Sequence, residues 1–366
     1  MVPWITVETL TPEAIAVASV GAESRAFASC ERVLQRLLGK NRALYDVLTT
    51  RDLVHLIASA RDHAEDADLR FATGAGEQRL LVRTVPGPSG DVHAVRLWLG
   101  PALARVPALP AAAGLVWDLP SQVIHQPTGI RHLTGSGAEE YAPRLSVAEL
   151  FQRVSKFDRH VEVLDLLYAP RTGQKLQFEA TVASRTGRRG VWRITVRARS
   201  DAQTRGAWLL VEDLTADAEP LTWSALDHFG LREAHRRAGT HLAIMQLDQG
   251  TISHWLTEPA PWVRWSGLFE PTDVFHPDDR VRLQALAGRL GPGDATEITV
   301  HTLARDGGYA PTELLLYPYP GYSAVELTIA QLVAAENVIE RLRSAPDASR
   351  QVRKERGNWA ARVPAS

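Results

Sequence analysis

Three times along the chain a helix with an apolar stripe gives way to three runs in which apolar and polar residues alternate, and this recurrence constrains the fold more than any other feature. Alternation with a period of two reads as a half-buried strand, and short turns between successive runs make neighbouring strands antiparallel. The last recurrence is the clearest. Phe275-His276-Pro277-Asp278-Asp279-Arg280 reads as a helix start: Pro277 suits the first turn, and Asp278 and Asp279 favour the positive end of the helix dipole. Val281, Leu283, Leu286 and Leu290 follow as its apolar stripe. Beyond the Gly291-Pro292-Gly293 breaker, strands are predicted over 298–303, 312–317 and 324–330, with turns at Asp306-Gly307-Gly308 and 318–321.

The middle recurrence places Leu176, Phe178, Ala180 and Val182 on one strand face, Trp192, Ile194, Val196 and Ala198 on the next, and a last strand over 207–211. It is preceded by a capping box, Ser146 with Glu149, for a helix over 147–156 and by a second helix over 160–167. In the first recurrence, Val33, Leu34, Leu37 and Leu38 form a stripe ended by Gly39, and a helix over 52–64 precedes strands around Leu69, Leu80 and Val92. Each unit opens on a hairpin: 13–20 with 24–29, 115–119 with 122–125, and 241–247 with 251–255.

A chain of 366 residues exceeds one ordinary domain. The expected division is an N-terminal unit 1–100, a Pro/Ala-rich linker 101–113, a middle unit 114–216, a connecting helix 217–238, a C-terminal unit 239–335, and a terminal helix and polar tail 336–366. The connecting helix rests on Trp223, Leu226, Phe229 and Leu231, and the last helix begins at Val333 and runs to Leu342.

The His-Pro-Asp-Asp-Arg helix start of residues 276–280, Asp306-Gly307-Gly308-Tyr309 in the first turn after it, and Val211-Glu212-Asp213-Leu214-Thr215 at the exit of the middle unit together resemble PAS sensory domains. The resemblance implies an α+β fold of three tandem PAS-like modules, each an antiparallel five-stranded sheet with helices on one face, and no attached effector. It also implies a cavity between sheet and helices. Met245 on the first strand of the third module, Trp255 on the second and Phe275 at the approach to the helix are the expected ligand-binding residues, since a flexible Met and large aromatics suit an apolar pocket. Of 41 basic residues only Lys40, Lys156, Lys175 and Lys354 are lysine, a composition that resembles a GC-rich coding bias and supports the expectation of an actinobacterial source.

A formal net charge of -1 gives no general attraction to nucleic acid or anionic membrane. The arginines of one middle hairpin, with Arg193, Arg197 and Arg199 on one strand face, read as a solvated face paired with Glu179 and Glu212 or as a dock for an acidic partner. Cys30, the only cysteine, permits no intramolecular disulfide and no thiolate cluster, and it lacks the neighbours of a flavin-bonding cysteine. Twelve histidines fall at no metal-ligand spacing, and His160 is the one candidate for a haem ligand. Phosphate-loop, nucleophile-elbow and zinc-protease signatures are missing, so neither catalysis nor a cofactor is expected. With no leader and no span of ~20 apolar residues, the expected location is the cytoplasm, without membrane insertion. The expected role is that of a signal-transduction sensor or adaptor that responds to a small apolar molecule or a signalling protein, self-associating through a helix outside the sheets. The alternative is a carrier or unusual enzyme that uses one cavity for an apolar ligand.

Overall fold

The computed structural model describes residues 2–335 other than 12, 41–43, 45–46, 136–140, 157–158, 184–188, 201–204, 217–225, 288, 292 and 320–326. The chain forms two compact units, one comprising Met1–Ala225 with Ser266–Pro271 and the other Leu226–Trp265 with the residues from Thr272 on. Three antiparallel sheets lie in them, two in the first unit and one in the second. Trp223 of the expected connecting helix lies outside the described residues.

The first sheet is built from β1 (Ile5–Glu8), β2 (Ala16–Val20), β3 (Glu23–Ser29), β4 (Ala67–Thr73), β5 (Gly76–Pro86) and β6 (Val92–Pro101), in the order β3-β2-β1-β6-β5-β4. Between β3 and β4 run α1 (Cys30–Lys40) and α2 (Thr50–His63). The helix α2 starts on a reciprocal cap in which Thr49 accepts from the Asp52 N–H and the Asp52 carboxylate accepts from the Thr49 N–H. Ile5, Val7, Val17, Val82, Val95 and Leu97 of the sheet meet Cys30, Leu34, Leu38, Leu53 and Ile57 of the helices in one core. Burial pushes the Cys30 thiol up to about 12, which makes it an inert packing residue.

The second sheet comprises β7 (Ala112–Asp118), β8 (Val123–His125), β9 (Arg144–Ser146), β10 (Val154–Lys156), β11 (Lys175–Ala183), β12 (Arg189–Ser200) and β13 (Arg205–Asp213), ordered β10-β11-β12-β13-β7-β8-β9. The short α3 (Ile130–Thr134) follows β8, α4 (Val147–Arg153) follows β9, and α5 (His160–Tyr168) precedes β11. The Ser146 and Glu149 capping box forms as expected, yet α4 stops at Arg153 and Val154–Lys156 turns into an edge strand.

The third sheet has β14 (His241–Gln246), β15 (Thr251–Trp255), β16 (Thr296–Leu303), β17 (Tyr309–Pro318) and β18 (Thr328–Ala334), ordered β15-β14-β18-β17-β16. The helices α6 (Leu226–Ala238) and α7 (Pro277–Ala287) flank its first hairpin in sequence.

All three sheets share one five-strand core, in which the first strand lies beside the last and the outer strands complete it. The expectation of five strands in every sheet is corrected: the sheets have six, seven and five. The extra strands of the second sheet, β9 and β10, are edge additions of three residues each, too short for alternation to reveal. The sixth strand of the first sheet is β1, which lies ahead of the expected hairpin, shows the alternation of Ile5 and Val7, and runs between β2 and β6. Val333 and Ala334, expected to start a helix, belong to β18, and the remainder of that segment lies outside the described residues.

The two sheets of the first unit pack face to face, and the arginine face of β12 is neither solvated nor open to a partner. Register places Arg193 opposite Glu212 and Arg197 opposite Trp208 on one side of the second sheet. There the Arg197 side chain meets Glu8 of β1, with Nε at 2.9 Å and Nη2 on the same carboxylate oxygen. Glu8 is fully buried and Arg197 is 8% exposed. Burial pushes the Glu8 carboxyl above the ordinary carboxylate range, against the pull of Arg197 and of the Leu10 N–H. Glu212 accepts from Thr6 Oγ1 at 2.8 Å and Ser19 Oγ at 2.7 Å, both on the first sheet. Leu10, Ala18, Val85 and Ala94 of the first sheet close an apolar patch with Leu210 of the second.

Two further contacts fix the pairing. Phe27, at φ 66°, leaves ordinary strand geometry and offers its ring to Lys175 and Arg197, each 5.0 Å from the ring centre. His93 is fully buried, stacks on Trp208 at 4.7 Å and donates from Nδ1 to the Leu209 carbonyl at 2.8 Å. Gly114 makes room for it, because a Cβ there would lie 2.4 Å from the imidazole.

The segment expected as a linker is a packed strap. Ala104, Val106 and Leu109 lie against Trp4, Leu81 and Trp98, and the Trp4 indole donates to the Pro107 carbonyl at 3.0 Å. Its prolines forbid helix and inner strand, as read from sequence, but apolar residues between them still find a surface to cover.

Replacing Glu8 by Ala leaves a buried guanidinium without its anion and is expected to cost about 3–5 kcal/mol. Glu8→Leu combined with Arg197→Met is expected to cost far less than the two single changes added together, which urea unfolding of the four proteins measures. The Cys30 thiol is expected to resist alkylation at neutral pH in the folded protein and to react at once in urea, as mass spectrometry of iodoacetamide-treated samples would record.

Candidate functional site

The third sheet brings the three nominated residues to one buried side. Ala243 pairs with Trp255 and with Ala330, and Met245 pairs with Ile252 and with Thr328, so Met245 and Trp255 face the same way despite a bulge between Ile244 and Met245. Thr312, Leu314 and Leu316 continue that face on β17 through Leu332 and Ala330. Phe275 forms an isolated bridge with Thr302, whose hydroxyl meets Thr312 Oγ1 at 2.8 Å on the same face. Met245 and Phe275 are fully buried and Trp255 is 2% exposed.

The Trp-rich loop lies over part of this face. Trp262 donates from Nε1 to Thr312 Oγ1 at 3.0 Å, and Trp265 meets Trp255 edge to face at 6.1 Å. Trp255 differs from Trp262 in one respect: its Nε1–H is buried with no hydrogen-bond partner, and so is the hydroxyl of the buried Ser253 on the same strand. A buried donor left unpaired costs roughly 1–3 kcal/mol, so each of these two groups on β15 calls for an acceptor.

The helix start behaves differently from its sequence reading. Val281, counted in the apolar stripe, is 65% exposed, while Asp279, Leu283 and Ala287 are the buried positions. Asp279 is thus more than a dipole partner. Its Oδ2 accepts from the His301 backbone N–H at 2.7 Å and from the His301 ring at 2.9 Å, and its Oδ1 accepts from Arg282 at 2.6 Å. Burial raises this carboxyl, but the two His301 hydrogen bonds and the Arg282 charge outweigh it and hold it below the ordinary range. The helix is thereby tied to strand β16, which fixes the approach on which Phe275 sits. The distinctive acidic motif is structural, and the polar groups that lack partners, Ser253 and Trp255, carry no motif at all.

Among the described residues no group of three His, Cys, Asp or Glu side chains is placed to hold a metal ion. No helix among them is long and apolar enough to cross a membrane.

Residues 3–108 match the model of the Rv3651-like N-terminal domain, and residues 230–318 match that of the Rv3651-like C-terminal domain. Both ends of the chain therefore match Rv3651-like domains. An uncharacterized protein from Mycobacterium tuberculosis has a similar crystal structure, with a TM-score of 0.73 and 18% identity over 92% of this chain and 98% of that one. That likeness shows a shared fold, and its mycobacterial source fits the lysine-poor composition. An RNA-binding light-oxygen-voltage receptor covers 63% of this chain and 97% of its own at 12% identity, with a TM-score of 0.25. A sensory box histidine kinase/response regulator from Burkholderia thailandensis covers 35% of this chain and 91% of its own at 13% identity, also with a TM-score of 0.25. Scores this low carry no argument about function. No curated protein matches the chain.

Since Asp279 is held ionised by native contacts, the stability it supplies is complete above its unfolded value of about 4 and is lost as pH falls through its lower folded value. Asp279→Asn is expected to lower the melting temperature at neutral pH and to flatten its fall below about pH 4, as calorimetry across that range would measure.

Proposed function

We propose that the protein is a non-catalytic sensor or adaptor of PAS-like construction, in which a small molecule entering the third sheet's inner face alters the surface offered to another protein. The observation that carries this reading is the buried, unpaired indole N–H of Trp255 on the same face as Met245, with Phe275 bridged to Thr302 at the opposite edge of the sheet. An apolar wall with one or two unsatisfied polar groups is the composition of a small-molecule site, since apolar contact supplies affinity and the lone donor supplies orientation. The five-strand order of the third sheet and the helix start clamped by Asp279 support the PAS-like part of the reading. Fold alone does not fix a function, and Trp255 gives this reading a site to test.

The ligand expected here is mainly apolar and carries one hydrogen-bond acceptor for Trp255 Nε1. Signalling would follow if the bound ligand shifts Phe275 and the α7 helix behind it, because that helix reaches β16 through a few directed hydrogen bonds. No catalytic step, cofactor or nucleic-acid contact belongs to the proposal. Localisation in the cytoplasm and self-association remain parts of the same reading.

Native mass spectrometry of the full chain, followed by NMR titration with an apolar metabolite library, tests it. The expected result is a ligand whose binding shifts the Trp255 indole resonance and weakens about tenfold in Trp255→Phe, which keeps an aromatic, if smaller, side chain and removes the donor. A library that leaves the indole resonance unmoved would assign Met245, Trp255 and Phe275 to packing alone.

A further inference from the structure

A second site that the sensor reading does not use lies under the strap in the first unit. The strap, the start of the chain and the end of β13 border a partly open cavity of about 260 Å³. That is the bulk volume of roughly eight or nine waters and slightly below the roughly 300 Å³ at which drug-sized pockets begin. Trp4, Pro107, Leu109 and Leu214 line it as an apolar wall. Asp213 lines it too, with its carboxylate engaged by the Thr215 N–H and hydroxyl, and so do two further charged groups, Arg96 and Glu212.

Both charges are incompletely met. Glu212 is 6% exposed, and its Oε1 already accepts from Thr6 and Ser19 while its buried Oε2 has no partner. Arg96 spends Nη1 on the Pro110 carbonyl at 2.5 Å, and its buried Nε has no partner. No carboxylate among the described residues forms an ion pair with it; burial lowers its pKa, with only partial relief from the charges of Glu212 and Asp66. Arg193, opposite Glu212 in register, does not resolve this, because its Nη2 goes to the Ala22 carbonyl at 2.5 Å and to Glu179 at 3.1 Å. Of the three charged residues that line the cavity, Arg96 and Glu212 are thus opposite charges that do not pair with each other.

Water can hydrate such groups, but it cannot neutralise either charge. A ligand carrying an anion for Arg96 and a cation for Glu212 neutralises both and adds no net charge to the interior. We infer that this cavity binds a small zwitterion of the α-amino-acid type, its carboxylate on Arg96, its ammonium on Glu212 Oε2 and an apolar side chain against Trp4 and Leu109. Such a ligand would bridge the strap, β6 of the first sheet and β13 of the second, and so would tighten the contact between the two sheets.

Isothermal titration of the full chain with the apolar L-amino acids tests the site. At least one is expected to bind saturably in the micromolar to low millimolar range. Its N-acetyl derivative, which lacks the ammonium, is expected to bind at least about tenfold more weakly. Arg96→Lys keeps the charge but loses the planar fork, and it is expected to weaken binding by about tenfold or more without unfolding the protein. Glu212→Gln retains an oxygen for Thr6 and Ser19 and is expected to weaken binding similarly. Trp255→Phe is expected to leave this binding unchanged, which separates the site from that of the third sheet. No heat with any apolar amino acid, or binding indifferent to acetylation and to both variants, would overturn the assignment.

Discussion

A carboxylate and a guanidinium buried between two sheets are tolerable only when they meet, because each alone forfeits several kcal/mol of hydration. Glu8 and Arg197 are such a pair, and the organisation of the first unit follows from them. Each sheet has one face on its own helices and would otherwise leave the other to solvent. The second sheet's far face is arginine-rich, and the first sheet supplies the acid. A specific ion pair with one geometric solution fixes the register of sheet on sheet, which the apolar patch around Leu10 and Leu210 could not do by itself. The left-handed backbone at Phe27 and the wedge of His93 over Gly114 add constraints that only this pairing satisfies.

The same accounting of buried polar groups distinguishes scaffold from site. In the third sheet Asp279 is fully engaged by His301 and Arg282, so the most recognisable motif in the sequence belongs to the scaffold. Trp255 Nε1, Ser253 Oγ, Arg96 Nε and Glu212 Oε2 are buried and unengaged. Arg144 Nε, Arg193 Nε and Nη1, Gln246 Oε1 and Asp248 Oδ1 are buried and unengaged as well, so such an atom points to a site only where a cavity or a nominated residue accompanies it. Trp255 is itself nominated for a ligand, and Arg96 and Glu212 line a cavity under the strap.

Much of this fold was legible in the sequence, since alternation gives strand faces directly. The two faces of β12, Trp192, Ile194 and Val196 against Arg193, Arg197 and Arg199, came out as read. What alternation cannot give is what covers a polar face. Arg197 next to Glu8 spans 189 positions of sequence, and no local pattern links them. The strap was illegible for a related reason, because proline excludes regular structure but says nothing about whether Val106 and Leu109 are buried. Met245, Trp255 and Phe275, expected as ligand-binding residues, are buried, whereas the unpaired state of the Trp255 indole depends on its three-dimensional neighbours. Val281 failed because the apolar stripe was drawn through a position that points to solvent while an acidic one, Asp279, points inward.

The central claim is that the first two sheets form one cooperative body held by their shared face. Native-state hydrogen exchange on the full chain tests it most directly, comparing slow amides of β1 and β2 with those of β12 and β13 before and after Leu10→Ala. Leu10 lies just after β1 of the first sheet and packs with Leu210 of the second. The account predicts equal opening free energies for the two sets and an equal fall in both, of about 2–5 kcal/mol, in the variant. A fall confined to β1 and β2, with β12 and β13 unchanged, would contradict it.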